Sequence, residues 1–557
     1  MRTILFAWFL MQASAAAEQT VTVHVDARAA SAELRPSWAY FGYDEPNYTY
    51  TSKGQKLIRE LVELSQSPVH IRTHFLLTTG DGRPGLKWGS TNAYTEDDSG
   101  NPIYDWTLID KILTTLIDAG AIPFVEIGFM PEALSTRPNP YTPTWIPGAR
   151  NDHYFIGWTY PPKNYEKWSE LIYKWVLHSV EKYGKGAVET WNWEVWNEPD
   201  IGYWHGTPEE YNKLYDYTAA AVKRALPAAR IGGPAATGPG NPKAAEFLRQ
   251  FLEHCSSGRN YATEKTGAPL DFISYHVKGQ PQVIAGHIRM GLSHEIKDLT
   301  RGLDIIKTFP TFAKAPIVLS EADPEGCAAC SARVYPQNAY RNGTLYPAYE
   351  AAAWKTILEL ERRDQVHLEG IVTWAFEFED QPYFDGFRTL ATNGIDKPVL
   401  NFFRMAGLMT GHLLNTESSA AISSSTIASN GVAASSTIDA LATRSDRSIT
   451  VLIWHYQDED VPGPEATISL VISGLQSDVT RVQTRHYRID QEHSNAYALW
   501  KQIGSPQNPT PEQHRELERA GQLQLLGSPR WIGTSRGEVE LRFSLPLQAL
   551  SLVQLSW

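Results

Sequence analysis

Trp191-Asn192-Trp193-Glu194-Val195-Trp196-Asn197-Glu198-Pro199 is the stretch on which the fold turns. Aromatic or β-branched residues alternate with polar ones until Pro199 stops the run. That is the pattern of a strand whose end breaks into a loop. An Asn-Glu pair at the C-terminal end of a buried strand is where a β/α barrel keeps reactive groups. Glu198 is therefore a candidate general acid.

The chain on either side repeats strand then helix. In Trp106–Gly120, Ile109, Ile112, Leu113 and Leu116 make a helical stripe, Gly120 ends it, and Ile122–Ile127 follows as a strand. Eight strand candidates lie near Ser37–Tyr43, Val69–His74, Ile122–Ile127, Thr190–Asn197, Arg230–Gly233, Asp271–His276, Ile317–Glu321 and Gly370–Phe376. Repeated strand–helix units predict a parallel sheet, and eight of them fit an α/β fold, the (β/α)8 TIM barrel. A doubly wound sheet would want a glycine-rich phosphate loop after its first strand, which is absent.

The texture changes after about residue 412. Ser418–Thr443 is rich in Ser and Ala with interspersed Ile, which reads as weak strands or as a linker. Ile449–Trp454, Thr467–Ile472, Val482–Ile489 and Val539–Leu545 are strand-like, and apolar Leu550–Trp557 reads as a last strand. The expected organisation is a catalytic barrel over residues 18–411 and an all-β sandwich module over 412–557. The early strand Val21–Val25 is expected to join that module, and the Trp500–Ala520 stretch is a candidate for reaching back to the barrel.

The 557 residues carry 42% hydrophobic and 20% charged residues, as a core-forming protein does, and a net charge of −12. That charge argues against nucleic acid or an anionic membrane surface as partner. The 18 Trp and 26 Tyr suit flat, hydroxyl-rich ligands such as sugars, and equally a large aromatic core. Arg2, the apolar run Ile4–Met11 and small residues at Ala13–Ala17 have the form of a cleaved export signal over residues 1–17. The expected location is secreted or periplasmic. In an exported protein, Cys327 and Cys330 are expected to form a loop-tightening disulfide, and no second C-x-x-C exists to build a zinc site. Asn47-Tyr48-Thr49 and Asn342-Gly343-Thr344 are glycosylation sequons, meaningful only in a eukaryotic host.

Polar residues recur at the strand ends: Arg72-Thr73-His74, Asn197-Glu198, Tyr275-His276 with Lys278, Ser320-Glu321, and Trp374 followed by Asp380 and Arg388. Two glutamates on separate strand ends suggest acid/base chemistry on a sugar. A retaining glycosidase needs a protonated carboxyl to release the leaving oxygen and an ionised carboxylate ~5–5.5 Å away to attack the anomeric carbon. Glu198 is assigned the acid/base role and Glu321 the nucleophile role, with Glu126, Glu325 and Glu377 as competitors for the latter. Asn197 is placed for the sugar 2-hydroxyl, Tyr275 or His276 to keep Glu321 ionised, and Trp374 to floor the site. Arg72 and His74 read equally as contacts or as support, and Asp323 as a contact or a turn cap.

These residues resemble glycoside hydrolase family 39, which holds β-xylosidases and α-L-iduronidases. Pro123–Pro131 is similar to the family's third strand, Trp196–Pro199 to its acid/base motif, Asp271–His276 to its sixth strand and Ser320–Asp323 to its nucleophile segment. Tyr487–Asp490 with Ser494–Tyr497 resembles a segment of the xylosidases' β-module. The resemblance implies a barrel with a β-sandwich, net retention, and no metal or organic cofactor. Lys278, Arg388 and Glu321-Ala322-Asp323-Pro324 look more like the iduronidase branch, where the matching Lys and Arg contact the substrate carboxylate. The alternative is that both cations pair with neighbours such as Asp380 or Asp385. Three readings result: an exo-acting β-xylosidase, a uronide-cleaving enzyme, and a non-catalytic sugar-binding barrel.

Overall fold

The computed structural model describes residues 20–141, 156–374, 376–433 and 435–557. The export signal read over residues 1–17 lies outside the described residues. Eight parallel strands close into a barrel: β1 (Tyr40–Tyr43), β2 (His70–Thr73), β3 (Ile122–Ile127), β4 (Asn192–Val195), β5 (Arg230–Ala236), β6 (Phe272–Lys278), β7 (Ile317–Asp323) and β8 (Leu368–Trp374). Each overlaps one of the eight apolar stretches marked in the sequence, with ends moved by a few residues. β1 pairs with β2 on one side and β8 on the other, so the sheet has no edge.

One repeat shows why the chain folds this way. Ile109, Ile112, Leu113 and Leu116 are the buried positions of helix Thr107–Ala119, spaced three and four apart, so one stripe faces the sheet. Gly120, at φ 93°, takes the left-handed conformation that ends the helix, and its N–H caps the Ile117 carbonyl. β3 starts two residues later. Inside the barrel Phe124 of β3 meets Phe272 of β6 edge-on, ring centres 5.8 Å apart.

A second large sheet has ten strands. Its strand Thr20–Glu33 lies between His412–Ser418, antiparallel, and Ala466–Ser473, parallel. The run Ile449–Trp454 belongs to strand Ser448–Tyr456, which is buried on both faces. Leu452 and Trp454 pack into the barrel core, while Val451 and Ile453 join a second core with Val21, Val23, Ile468, Val482 and Leu555. The layers of this module are thus one continuous sheet folded over. Ser418–Thr443 supplies strand ends around helix Ser424–Asn430.

Helices Ala496–Gln502 and Pro511–Gly521 return to the barrel. Trp500 and Leu517 pack on Phe384 and Ile395, and Gln507 accepts from the Tyr383 N–H at 2.9 Å. Cys327 and Cys330 are disulfide-bonded; Cys255 is free and buried. Neither sequon presents its asparagine to solvent. Asn47 donates to the Ser90 carbonyl (2.8 Å) and Asn342 to that of Phe384 (2.7 Å), both buried. No helix among the described residues is long and apolar enough to cross a membrane.

Candidate active site

The end of β4 is built by backbone conformation. Trp196 (φ 71°) and Glu198 (φ 46°) are both left-handed and flank Asn197. Non-glycine residues hold that conformation only where surroundings dictate it. Here the Glu198 N–H donates to the Ala235 carbonyl at 2.9 Å, and the Trp196 indole to that of Tyr203 at 2.9 Å. The turn brings the Glu198 side chain to His276, whose Nδ1 lies 2.9 Å from Glu198 Oε1.

Glu321 stands on β7, its Oε2 3.8 Å from the same imidazole nitrogen. One carboxylate oxygen of Glu198, one of Glu321 and one nitrogen of His276 all lie within 4.8 Å of one another. The two acids differ in environment. The Glu198 side chain keeps 15% of its surface exposed, that of Glu321 6%. Burial by itself pushes the Glu321 carboxyl up. The ammonium of Lys278, then His276, Arg72 and His74, outweigh it and hold the group well below the usual carboxylate range. Lys278 Nζ lies 2.7 Å from Glu321 Oε2, Arg72 Nη1 3.4 Å from Oε1. Two protein cations thus stand against the Glu321 carboxylate.

Arg72 joins five groups, with its Nη1 2.9 Å from His74 Nε2. It donates to Glu194 (2.6 Å), to Asn197 Oδ1 (3.0 Å) and to Glu321, and lies 4.0 Å from Glu126. Its bond to Asn197 Oδ1 orients the amide, leaving the NH2 end for a ligand. His74 is held at both nitrogens, by Asp44 (3.2 Å) and Glu126 (2.7 Å). Burial alone lowers its pKa and the neighbouring Arg72 guanidinium opposes the charged form, but Glu126 and then Asp44 raise it to about 9. Trp374 lies beside both: its ring is 4.4 Å from that of His74, and its Nε1 donates to Asp44 at 3.3 Å.

Two expectations need correction. Tyr275 does not face the acids. Successive strand residues point to opposite faces, and with His276 inward Tyr275 points outward, where its hydroxyl donates to the Leu299 carbonyl (3.2 Å). Arg388 does not reach a surface that a substrate carboxylate would touch. It is fully buried, paired with Asp323 and with Glu325 (2.7 Å), and donates to the Trp374 carbonyl. Its neighbours are also not Asp380 and Asp385, which pair with Lys53 (3.3 Å) and Arg333 (2.9 Å). Asp323 is more than a turn cap: it accepts from the Trp374 N–H (2.8 Å) and from Lys278 Nζ (2.7 Å).

The competing glutamates are committed elsewhere: Glu325 to Arg341 and Arg388, Glu126 to His74, and Glu377 to the Gly394 N–H at 2.6 Å. Glu194 and Asp44 were missed as site residues. A charged residue inside an apolar strand, as Glu194 is within its Trp-rich run, was the available signal.

The family model described as Glycosyl hydrolases family 39 matches residues 21–526. A β-xylosidase of Caldicellulosiruptor saccharolyticus is 28% identical over 439 residues, covering 77% of this chain and 78% of that protein. The α-L-iduronidase of Mus musculus is 25% identical over 582 residues, covering 98% and 83%. Among solved structures, a monomeric β-xylosidase from Caulobacter crescentus CB15 superposes with a TM-score of 0.74 at 23% identity, covering 96% of this chain and 99% of that one, and shares the fold.

Proposed function

The chain belongs to glycosyl hydrolases family 39 and is a glycoside hydrolase, and from that premise we propose that it is an exported, exo-acting retaining enzyme that releases terminal β-D-xylosyl residues from oligosaccharides. The observation that carries the mechanism is the approach of the Glu198 and Glu321 carboxylates to within 4.8 Å, the short separation of a double displacement rather than the wider gap that admits a water. Glu321, held ionised by Lys278 and Arg72, attacks the anomeric carbon. Glu198 gives its proton to the leaving oxygen. The resulting glycosyl ester on Glu321 is then opened by water, whose proton returns to Glu198. Asn197 offers its NH2 to the sugar 2-hydroxyl, a bond that strengthens in the transition state.

A neutral sugar is favoured because the Arg388 charge is already met by Asp323 and Glu325 inside the fold. A charged group so matched has little to offer a substrate carboxylate. The β-xylosidase relatives point the same way. The second reading is a uronide-cleaving enzyme. It is favoured by Lys278, a partly exposed cation touching Glu321, and by the relatives named as α-L-iduronidases.

The test is a set of initial rates on matched aryl β-D-xyloside, aryl β-D-glucuronide and aryl α-L-iduronide, with Glu198→Ala and Glu321→Ala as controls. Xyloside turnover lost in both variants supports the first reading. Preference for a uronide, lost in Lys278→Ala, supports the second. Binding of sugar with no turnover of any glycoside would overturn both.

A further inference from the structure

Glu321, Asp323 and Glu325 stand at every second position from the end of β7 into the loop beyond, and three cations interleave with them. Lys278 Nζ lies 2.7 Å from Glu321 Oε2 and 2.7 Å from Asp323 Oδ2. Arg388 pairs with Asp323 and, at 2.7 Å, with Glu325. Arg341 pairs with Glu325 at 2.7 Å and donates to the carbonyls of Cys327 (2.7 Å), Cys330 (2.9 Å) and Gly386 (3.0 Å). The result is one alternating row, Glu321, Lys278, Asp323, Arg388, Glu325, Arg341. It starts at the nucleophile and ends in the disulfide-closed loop.

We propose that Arg388 is a positioning residue that, by occupying Asp323, keeps the Lys278 ammonium against Glu321. The inference rests on the reading of Glu321 as nucleophile. The physical step is a competition. Two buried carboxylates accept from one ammonium at equal distance, and Arg388 neutralises one of them. Without its guanidinium, Coulomb attraction draws Lys278 to Asp323, and Glu321 loses its nearest cation. The other charged groups around Glu321 are His276 on β6, Arg72 on β2, His74 and Asp44 just past β2 and β1, and Glu198 past β4. Those around Arg388 are Asp323, Glu325, Tyr346 and Glu321 itself, with Lys278, Glu350 and Tyr340. None of these replaces a guanidinium bound to Asp323.

The test is the pH profile of kcat/KM on the best glycoside for wild type, Arg388→Met, Asp323→Asn and the Arg388→Met/Asp323→Asn double variant, each checked for native folding by circular dichroism. In Arg388→Met the acidic limb moves up by about one pH unit and kcat falls at least tenfold. Asp323→Asn removes the competitor, so its limb stays at or below the wild-type position. The double variant returns to within a few tenths of a unit of wild type. An upward limb in Asp323→Asn overturns the proposal, and that variant decides the matter if Arg388→Met does not fold. An unmoved limb in Arg388→Met, with KM raised for a uronide alone, also overturns it and makes Arg388 a substrate contact. The two levels separate cleanly. Wild-type turnover by Glu321→Ala sinks the nucleophile reading, whereas an inactive Glu321→Ala beside an unshifted Arg388→Met sinks only this inference.

Discussion

His276 Nδ1 lies 2.9 Å from Glu198 Oε1. The same nitrogen is 3.8 Å from Glu321 Oε2, so one imidazole nitrogen faces both carboxylates. A carboxyl that protonates the leaving oxygen matters in proportion to how badly that oxygen leaves. In Glu198→Ala, kcat/KM is expected to fall by about 10²- to 10⁴-fold on an alkyl or sugar aglycone. With a dinitrophenyl leaving group the fall is expected to be less than about tenfold, and added azide is expected to restore turnover through a glycosyl azide. His276→Ala is expected to follow the same dependence with a smaller amplitude, near 10²-fold, because it misplaces the acid rather than removing it. Equal losses on good and poor leaving groups would take Glu198 out of the acid/base role.

Gly42 of β1 makes room for Trp374. A Cβ at that position would lie 2.2 Å from Cζ3 of the indole, which is packed on His74 and beneath Arg72. Gly42→Ala is expected to destabilise by about 1–3 kcal/mol and to raise KM, both read in one preparation by chemical denaturation and steady-state kinetics. Unchanged stability and KM would show that Trp374 has another place to go.

Stability is expected to decline as pH rises through the neutral range, through Glu295. It is buried in helix Leu292–Lys307, where it accepts from the Tyr349 hydroxyl, and burial raises its pKa to about 8. Between the ordinary carboxyl pKa of ~4.3 and that value, the folded state binds more proton than the unfolded one. The contribution is therefore whole in acid and is lost as pH rises through about 8. Glu295→Gln, which mimics the protonated form, is expected to raise Tm at pH 8.5 by roughly 2–4 °C and to leave it unchanged near pH 4. A Tm gain of equal size at both pH values would remove titration from the explanation.

Tyr275→Phe separates a residue next to the site from one within it. Its hydroxyl serves Leu299 on the helix layer. The expected outcome is an unchanged kcat/KM and a loss of roughly 1 kcal/mol or less of stability. A large fall in kcat/KM with stability intact would return Tyr275 to the site.

The sequence by itself determined the barrel architecture and the strand ends that carry Glu198 and Glu321. Period-two alternation in Trp191–Val195 and period-3.6 stripes such as Ile109, Ile112, Leu113 and Leu116 depend only on neighbours along the chain, so they are legible without coordinates. A barrel places its strand ends on one face, which brought Asn197, Glu198, His276 and Glu321 within sight of one another. Only the tertiary structure decided what each polar group faces. Tyr275 and His276 are adjacent letters, and the strand's pleat sends one out to a helix and one in to the acids. Lys278 and Arg388 look alike as strand-end cations. One touches Glu321 and the other is buried with Asp323 and Glu325, because charges separated by 43 to 65 residues find partners through packing alone. Glu126, Glu194 and Asp44 became visible as partners of His74 and Arg72 for the same reason. A buried charge is tolerated only where a partner arrives, and that partner's place in the sequence obeys no local period.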